Sequence, residues 1–212
     1  MPNTTPDTII DLLRHGKVAG KPALYGRTNI AMSDVGWRQT KQILTDYPTP
    51  DRLITSPLLR CKEIADYAAK QYQMEAEISD GIKECDFGRF DGVPFDEIGD
   101  DWQLLDDFWR DPANNMPPQG EHLDAMYQRV INAWQHILDT SAGKRVLVVC
   151  HGGVIRHILA HILNIDWRSP NLYQQFDISY SSITRISRFV HPEAKPIIRH
   201  VAIPSGNLKT TI

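Results

Sequence analysis

A chain of 212 residues with 42% hydrophobic and 23% charged residues has the composition of an ordinary globular protein, long enough to bury a core without disulfides or metal. Its formal net charge of -3 offers no basic footprint for phosphate backbones, so nucleic acid is not an expected partner. The start, Met1 to Thr8, has neither a basic n-region nor an apolar core, no apolar run reaches the length of a membrane span, and Cys61, Cys85 and Cys150 are odd in number with no CxxC pair; a cytoplasmic protein without a membrane partner is expected.

The apolar run Ile9-Ile10-Asp11-Leu12-Leu13 reads as a strand that leads into Arg14-His15-Gly16. Lys17 to Met32 follows as a loop, and Ser33 is placed to cap a helix through about Asp46 that carries Trp37, Ile43 and Leu44. Pro48 and Pro50 break the chain before a short second strand, Arg52 to Thr55. Ser56-Pro57 has the pattern of a helix start, with serine as cap and proline at the first helical position, which puts Arg60 within about the first turn. Glu75 to Ser79 predicts a third strand. The stretch at about 81–120 is rich in Gly, Pro, Asp and aromatic residues, and reads as a cap insertion over the sheet edge within a single domain spanning 1–212.

Apolar residues at helical spacing from Leu123 to Ile137 predict a helix within 121–140, which leads through Gly143 into a strand from Val146. That strand ends at Cys150 and runs into His151-Gly152-Gly153, and the next helix turns Val154, Ile155, Ile158, Leu159 and Ile162 inward. Ser182 to Phe189 and Pro196 to Ala202 are expected as later strands, the second followed by a weakly patterned tail. No solenoid-type repeat is present. Strands alternating with helices point to an α/β fold.

Two strands thus end alike, each delivering a histidine, then glycine, to the carboxyl edge of a sheet, where ligands bind in open α/β folds. Arg14, His15, Arg60 and His151 all lie at or just past strand ends. Fixed positive charge with many donors suits a phosphoryl group, whose equatorial oxygens share negative charge during transfer, and the planar fork of arginine matches those oxygens. A neutral imidazole is a competent nucleophile towards phosphorus when its other nitrogen is tied down as a donor, and His15 is the histidine expected to attack. One histidine at a strand end is most often a hydrogen-bonded loop or core residue; the repeated arrangement with two arginines favours a site.

Leu13-Arg14-His15-Gly16, Ser56-Pro57-Leu58-Leu59-Arg60, Glu84-Cys85-Asp86-Phe87-Gly88 with Asp91-Gly92, Gly120-Glu121, and His151-Gly152-Gly153-Val154-Ile155-Arg156 together resemble the histidine phosphatase superfamily, which includes cofactor-dependent phosphoglycerate mutases and many phosphatases. The resemblance runs from Ile9 to Arg156 in the family's order and spacing. It implies a mixed, mostly parallel central sheet with helices on both faces, and a phosphomonoesterase acting on a small phosphorylated metabolite without metal or other cofactor. By the same resemblance His15 would carry the phosphoryl group, Arg14 and Arg60 would clamp its oxygens, His151 would stabilise the transition state, and Glu84 would protonate the leaving alkoxide and later activate water. Lys17-Val18-Ala19-Gly20-Lys21 departs from the polar residues that many members place after Arg-His-Gly, so part of the phosphate shell is left unassigned, with Arg27 or Thr28 as candidate substrate-binding residues. The layout Tyr25-Gly26-Arg27-Thr28-Asn29 to Met32-Ser33 and Gly36-Trp37 is similar to bacterial α-ribazole-5′-phosphate phosphatases of cobalamin biosynthesis.

Rival readings start from the same residues. Cys150 to Arg156 is a literal C-x-x-G-x-x-R, the signature of cysteine-dependent phosphatases, in which Cys150 would attack as a thiolate. A phosphoglycerate mutase-type transfer, or a non-catalytic phosphate-binding module, would draw on the same cluster. His157 and His161 are four apart, a zinc-binding spacing, but packing is the better account, since Ile158 stands where a metalloprotease needs glutamate. Glu121 could serve only as a helix cap, and Arg156 as a salt-bridge partner on its helix. From Asp91 to Asp124 there are ten acidic residues against Arg110, a charge of -9 that leaves +6 for the rest of the -3 chain. A field of that sign over the pocket would disfavour highly anionic substrates such as bisphosphoglycerate. Phe87, Phe90, Trp102, Phe108 and Trp109 either stack on a flat base or form the insertion's own small core.

Overall fold

One mixed six-stranded sheet, in the order β3-β2-β4-β1-β5-β6, organises the molecule. Its strands are β1 (Thr8–Arg14), β2 (Arg52–Thr55), β3 (Ala76–Ile78), β4 (Arg145–Cys150), β5 (Ser182–Arg188) and β6 (Ile197–Pro204). The computed structural model describes residues 7–191 and 193–204, so the readings made of the first six residues and of the tail after Pro204 lie outside the described residues. β1 pairs in parallel with β4, and β2 in parallel with both β4 and β3; β5 alone runs against its neighbours β1 and β6. The sheet is therefore mostly parallel, as the resemblance implied.

The two-residue period of the strands sorts their side chains onto two faces. Ile10, Leu12, Val146, Val148 and Cys150 face one core, shared with α4 (Leu123–Asp139) and α5 (Gly152–Leu163). Leu13, Leu53, Leu147 and Val149 face the other, shared with α1 (Asp34–Asp46) and α2 (Leu59–Tyr72). Both faces of β1 and β4 are covered, which is why these strands read as nearly unbroken apolar runs. Between β3 and α4 the chain makes several short 3-10 turns and α3 (Trp102–Arg110), where Phe90, Ile98, Leu105 and Phe108 bury against one another in a separate cluster.

Ser33 caps α1 as expected, its hydroxyl accepting from the Gly36 N–H at 3.1 Å. The start of α2 is different. The helix begins at Leu59 with Leu58 as its cap residue, two positions after Pro57, and the exposed Leu59 N–H donates instead to Asn29 Oδ1 at 2.8 Å. Ser56 is diverted: its hydroxyl lies 2.8 Å from His151 Nε2 and only 3.4 Å from the Leu58 nitrogen. A tertiary partner outcompetes the local cap. Glu121 likewise precedes α4, whose cap residue is His122, and its carboxylate binds Arg129.

Asp11, fully buried within β1, is the one charge on an otherwise apolar strand run. Its carboxylate accepts from Arg185 Nε at 2.8 Å, from Arg185 Nη2 at 3.0 Å and from the Tyr47 hydroxyl at 2.6 Å. Burial first, and the adjacent carboxylate next, push the Tyr47 hydroxyl well above the ordinary phenol value, so it stays a donor. Removing one member of a buried ion pair strands its partner, so Asp11→Ala should lower unfolding free energy by about 3–5 kcal/mol in urea titrations. A change below about 1 kcal/mol would show that the cluster carries no such weight.

Candidate active site

Parallel register builds the site. Leu13 pairs with Val149 and Arg14 with Cys150 across β1 and β4, while Thr55 of β2 pairs with Val149 from the other side. The residues that follow these pairs, His15, His151 and Ser56, therefore emerge side by side from three adjacent strands. The His15 N–H donates to the Cys150 carbonyl at 3.2 Å, extending the ladder one step beyond the strand. Gly16 then turns the chain beneath α1: a Cβ there would lie 2.3 Å from the Gly36 carbonyl oxygen and 2.6 Å from Thr40 Oγ1, so only glycine fits.

His15 is 4% exposed and its tautomer is set by its surroundings. Nδ1 lies 2.8 Å from the Gly16 carbonyl, which can only accept, so Nδ1 carries the hydrogen and Nε2 keeps a lone pair. Arg60 Nε donates towards that lone pair at 3.2 Å. Burial above all, then the charges of Arg60 and Arg14, holds the His15 pKa well below the ordinary imidazole value. A neutral ring with its free nitrogen beside a guanidinium is what nucleophilic attack on a bound phosphoryl group requires.

His151 presents its ring to His15 at a centroid distance of 5.1 Å and an interplanar angle of 65°. It is fully buried, and burial followed by Arg60 and His15 lowers its pKa well below the usual value too. Besides Ser56, its Nε2 touches the Cys61 thiol at 3.5 Å, and as the cap residue of α5 it stands at a helix N-terminus that favours anions. Arg60 is buried in the first turn of α2, with Nη1 donating to the Thr28 carbonyl at 3.0 Å and Nη2 to the carbonyls of Tyr25 and Gly26 at 2.9 and 2.7 Å. Arg14 donates from Nη1 to the Ile178 carbonyl, while its buried Nε has no hydrogen-bond partner among the described residues. Among the described residues, neither arginine makes an ion pair with a carboxylate, and nor does Arg156. Their charge remains available to an anion.

Glu84 joins this set from the segment after β3. Its Oε2 accepts from the Gly153 N–H of α5 at 3.0 Å and its Oε1 from the Cys85 N–H at 3.0 Å. A Cβ at position 153 would sit 2.3 Å from Oε1, so the second glycine of the His-Gly-Gly run makes room for this carboxylate. Arg129, which no motif pointed to, secures the arrangement: Nη2 donates to the Glu84 carbonyl at 3.0 Å and to Glu121 Oε2 at 2.8 Å, and Nη1 reaches the Gly81 and Lys83 carbonyls. The sequence signal was weak because a lone arginine on a helix is ordinarily a solvated one.

Arg27 and Thr28 lie on the loop opposite. Thr28 spends its hydroxyl on Asp91 at 2.5 Å, and Arg27 reaches Glu121 at 3.4 Å. Asp91 also accepts from the backbone N–H groups of Gly26, Arg27, Thr28 and Phe87. One carboxylate thus shapes the loop whose carbonyls hold Arg60. Tyr180, also without a motif, lies over the site with its ring centroid 3.7 Å from Arg14 Cζ and 5.6 Å from the His15 ring. It is held there by Ser181, whose positive φ of 51° is strained for a residue with a side chain, and whose N–H donates to the His15 carbonyl.

The competing residues have other partners. Cys150 is fully buried in the α4/α5 core, and burial pushes its thiol well above the ordinary value, so no thiolate is available to attack. His157 pairs with the Tyr173 hydroxyl at 2.7 Å and His161 with the Tyr127 hydroxyl at 3.1 Å. Arg156 forms no helix salt bridge among the described residues; its Nε donates to the Phe176 carbonyl at 2.9 Å. Part of the acidic stretch is paired in place, with Asp96 and Glu97 on Lys21, Asp101 on Arg89, Asp106 on Arg110, and Glu121 on Arg129.

The depressed histidines have a consequence for stability. Their unfolded rings titrate near 6.5 while the folded rings resist protonation to lower pH, so protons favour the unfolded chain once the pH drops below that value. Unfolding free energy should be flat above pH 6.5 and decline between 6.5 and 5, by up to about 1.4 kcal/mol per pH unit for each uncoupled ring. His151→Asn should reduce that slope; a flat profile in urea titrations across the window would show that the rings are not held neutral.

Similar proteins come from several sources. A bifunctional protein of Mycobacterium tuberculosis is 31% identical over 185 residues, covering 84% of this chain and 50% of that protein, so the chain spans about half the length of the curated relatives it matches there. Among solved structures, Bacillus stearothermophilus YhfR superposes with a TM-score of 0.83 at 22% identity, over 93% of this chain and 98% of the other. The alpha-ribazole phosphatase from Shigella flexneri superposes with a TM-score of 0.75 at 18% identity, over 92% and 96%. Both carry the same fold. Residues 10–194 match the profile of the histidine phosphatase superfamily (branch 1), and the chain belongs to that superfamily.

Proposed function

We propose that the protein is a phosphomonoesterase that works through a phosphohistidine on His15. The observation that carries the reading is the locked His15 tautomer, with Nδ1 bound to the Gly16 carbonyl and Nε2 directed at Arg60. In the first step Nε2 attacks phosphorus in line, the ester P–O bond breaks, and Glu84 gives its proton to the departing alkoxide. Arg14, Arg60 and His151 hold the equatorial oxygens, with the N-terminal end of α5 adding its field. In the second step Glu84 takes a proton from water as the water oxygen attacks phosphorus, the P–N bond breaks, and His15 returns to its neutral form. Arg27, paired with Glu121, is assigned to substrate binding on the resemblance, while Thr28 contributes through its carbonyl to Arg60.

Within this class α-ribazole 5′-phosphate is the substrate proposed, in the cytoplasm and in cobalamin biosynthesis. The Tyr25 to Trp37 layout supports it, together with the likeness to the Shigella flexneri enzyme. The segment at about 81–120 acts as a cap in a single domain, which the placement of Phe108 and Trp109 in a cavity beside Glu84 supports.

A panel of α-ribazole 5′-phosphate, 3-phosphoglycerate with and without its bisphosphate, sugar phosphates and phosphotyrosine tests the reading. The expected outcome is release of inorganic phosphate with the fastest turnover on α-ribazole 5′-phosphate; isomerisation of phosphoglycerate as the dominant reaction would replace phosphatase with mutase. Acid-labile covalent phosphate should form in Cys150→Ser and be absent in His15→Ala, and labelling of both or neither would remove His15 as nucleophile. Gly153→Ala, which displaces the Glu84 carboxylate, should slow alkyl phosphates about 10²-fold or more while p-nitrophenyl phosphate, whose leaving group needs no proton, loses much less. Equal losses on both would take Glu84 out of the acid role.

A further inference from the structure

A cavity of about 600 Å³ opens beside Glu84, between the segment carrying α3 and helices α4 and α5. Its walls are mainly carbon, supplied by Leu24, Phe87, Phe108, Trp109, Leu123 and Met126. That volume is in the range of sites for drug-sized ligands, and far exceeds what the alcohol part of a phosphoglycerate or phosphoserine would fill. Polar side chains interrupt the walls: the Asp106–Arg110 pair, which is internally neutral, Gln174, Glu84 itself, and Arg156, which lines the cavity beside Glu84 and Gly153.

The cavity is built before any ligand arrives. On one side the Tyr173 hydroxyl donates to the Trp167 carbonyl at 2.7 Å and accepts from His157 Nε2 at 2.7 Å, so both of its polar valences are spent and only its ring is offered to the cavity. Trp167 is itself stacked on Tyr127 at 4.9 Å between centroids. On the opposite side Trp109 is braced edge to face by Phe95 and Trp102, each at 5.7 Å. Rigid apolar walls of this kind suit a planar, uncharged body.

Arg156 connects the cavity to the phosphoryl site. A Cβ placed on Gly152 would meet Arg14 Cζ, Arg14 Nε and Arg156 Nη1, each at 3.2 Å, so the two guanidinium groups border the same small volume. Arg156 is anchored through Nε to the Phe176 carbonyl and has no carboxylate partner among the described residues. Two like charges held this closely, one with a buried Nε that has no hydrogen-bond partner among the described residues, call for oxygen atoms between them.

We infer that Arg156 and the cavity form the leaving-group site, selecting phosphate monoesters of uncharged alcohols that carry a bulky, flat ring system, with Arg156 binding the oxygens next to the ester bond and the ring lying between Trp109 and Tyr173. The inference rests on the phosphatase reading and narrows it. The phosphoryl group stays with Arg14 and Arg60, and the chemistry of the alcohol is read by Arg156 and apolar contact.

The test is a series of primary alkyl phosphates whose leaving groups have nearly equal pKa values: ethyl, 3-phenylpropyl and 3-(2-naphthyl)propyl phosphate. Because leaving-group acidity is constant, rates report contact alone. From ethyl to naphthylpropyl, kcat/KM should rise about tenfold or more, chiefly through KM. That ratio should shrink at least about fivefold in Leu24→Trp, which fills the cavity, and in Trp109→Ala, which removes a wall. Arg156→Gln should raise KM about tenfold for 2-hydroxy-3-(2-naphthyl)propyl phosphate, which carries an oxygen beside the ester bond, while changing the inhibition constant of inorganic phosphate about twofold or less. Equal shifts in both would make Arg156 a phosphoryl clamp and overturn its assignment. A wild-type ratio near one, with turnover still dependent on His15, would sink the leaving-group site and leave the phosphatase reading standing. No turnover of any ester would sink that reading instead.

Discussion

The parallel pairing of β1 with β4 is the constraint on which the site depends. With Arg14 opposite Cys150, the next residue on each strand is a histidine, and the ladder continues through the His15 N–H to the Cys150 carbonyl. A one-residue slip would turn each side chain to the other face of the sheet and separate the rings. Two fully covered faces resist that slip, because it would also carry Leu12 and Val148 out of one core and Leu13 and Val149 out of the other. Core packing and the relative position of two imidazoles are thus enforced by the same register.

Around those rings, positive charge is held in a way that leaves it usable. Arg60 is held by carbonyl oxygens from Tyr25, Gly26 and Thr28, which are partial charges only, and the loop that offers them is shaped by Asp91. The carboxylate that organises the loop pairs with N–H groups, not with Arg60. Had Asp91 paired with Arg60 directly, the guanidinium would be neutralised and a phosphoryl group would have to displace a charge. The same logic separates Glu121 and Arg129, a tight pair, from Arg14, Arg60 and Arg156, which have no carboxylate partner among the described residues. The buried histidines fit this scheme, since neutral rings can stand beside several guanidinium groups without repulsion.

Much of the architecture was legible before any coordinates. Apolar runs located β1, β2, β4 and β5 within a residue or so, Ser33 capped its helix, and the strand-end histidines came side by side where β1 and β4 end. Local rules failed where a distant group competed. Ser56 followed by Pro57 is a good helix start in isolation, yet the serine hydroxyl went to His151 and the helix began at Leu59 under an acceptor from Asn29. The pairing of Lys21 and Arg89 with the acidic stretch was not legible for a related reason, because a charge count does not say which distant cations fold back onto it. Cys150 matched a thiolate signature letter by letter, but its strand position directs the thiol into carbon.

What the amino-acid sequence determined by itself was the pattern: which segments are strands, which residue types arrive at their ends, and the membership that Arg14, His15, Arg60, Glu84 and His151 announce together. Only the tertiary structure decided which tautomer His15 adopts, that Arg129 and Asp91 hold the surrounding loops, that Tyr180 covers Arg14, and that Arg156 turns from its helix towards the site. The division has a physical cause. Periodicity and chain-end chemistry act over a few residues and are written in order along the chain, whereas a hydrogen bond or a charge pairing is settled by whichever partner folding brings nearest, and for these groups that partner lies tens of residues away.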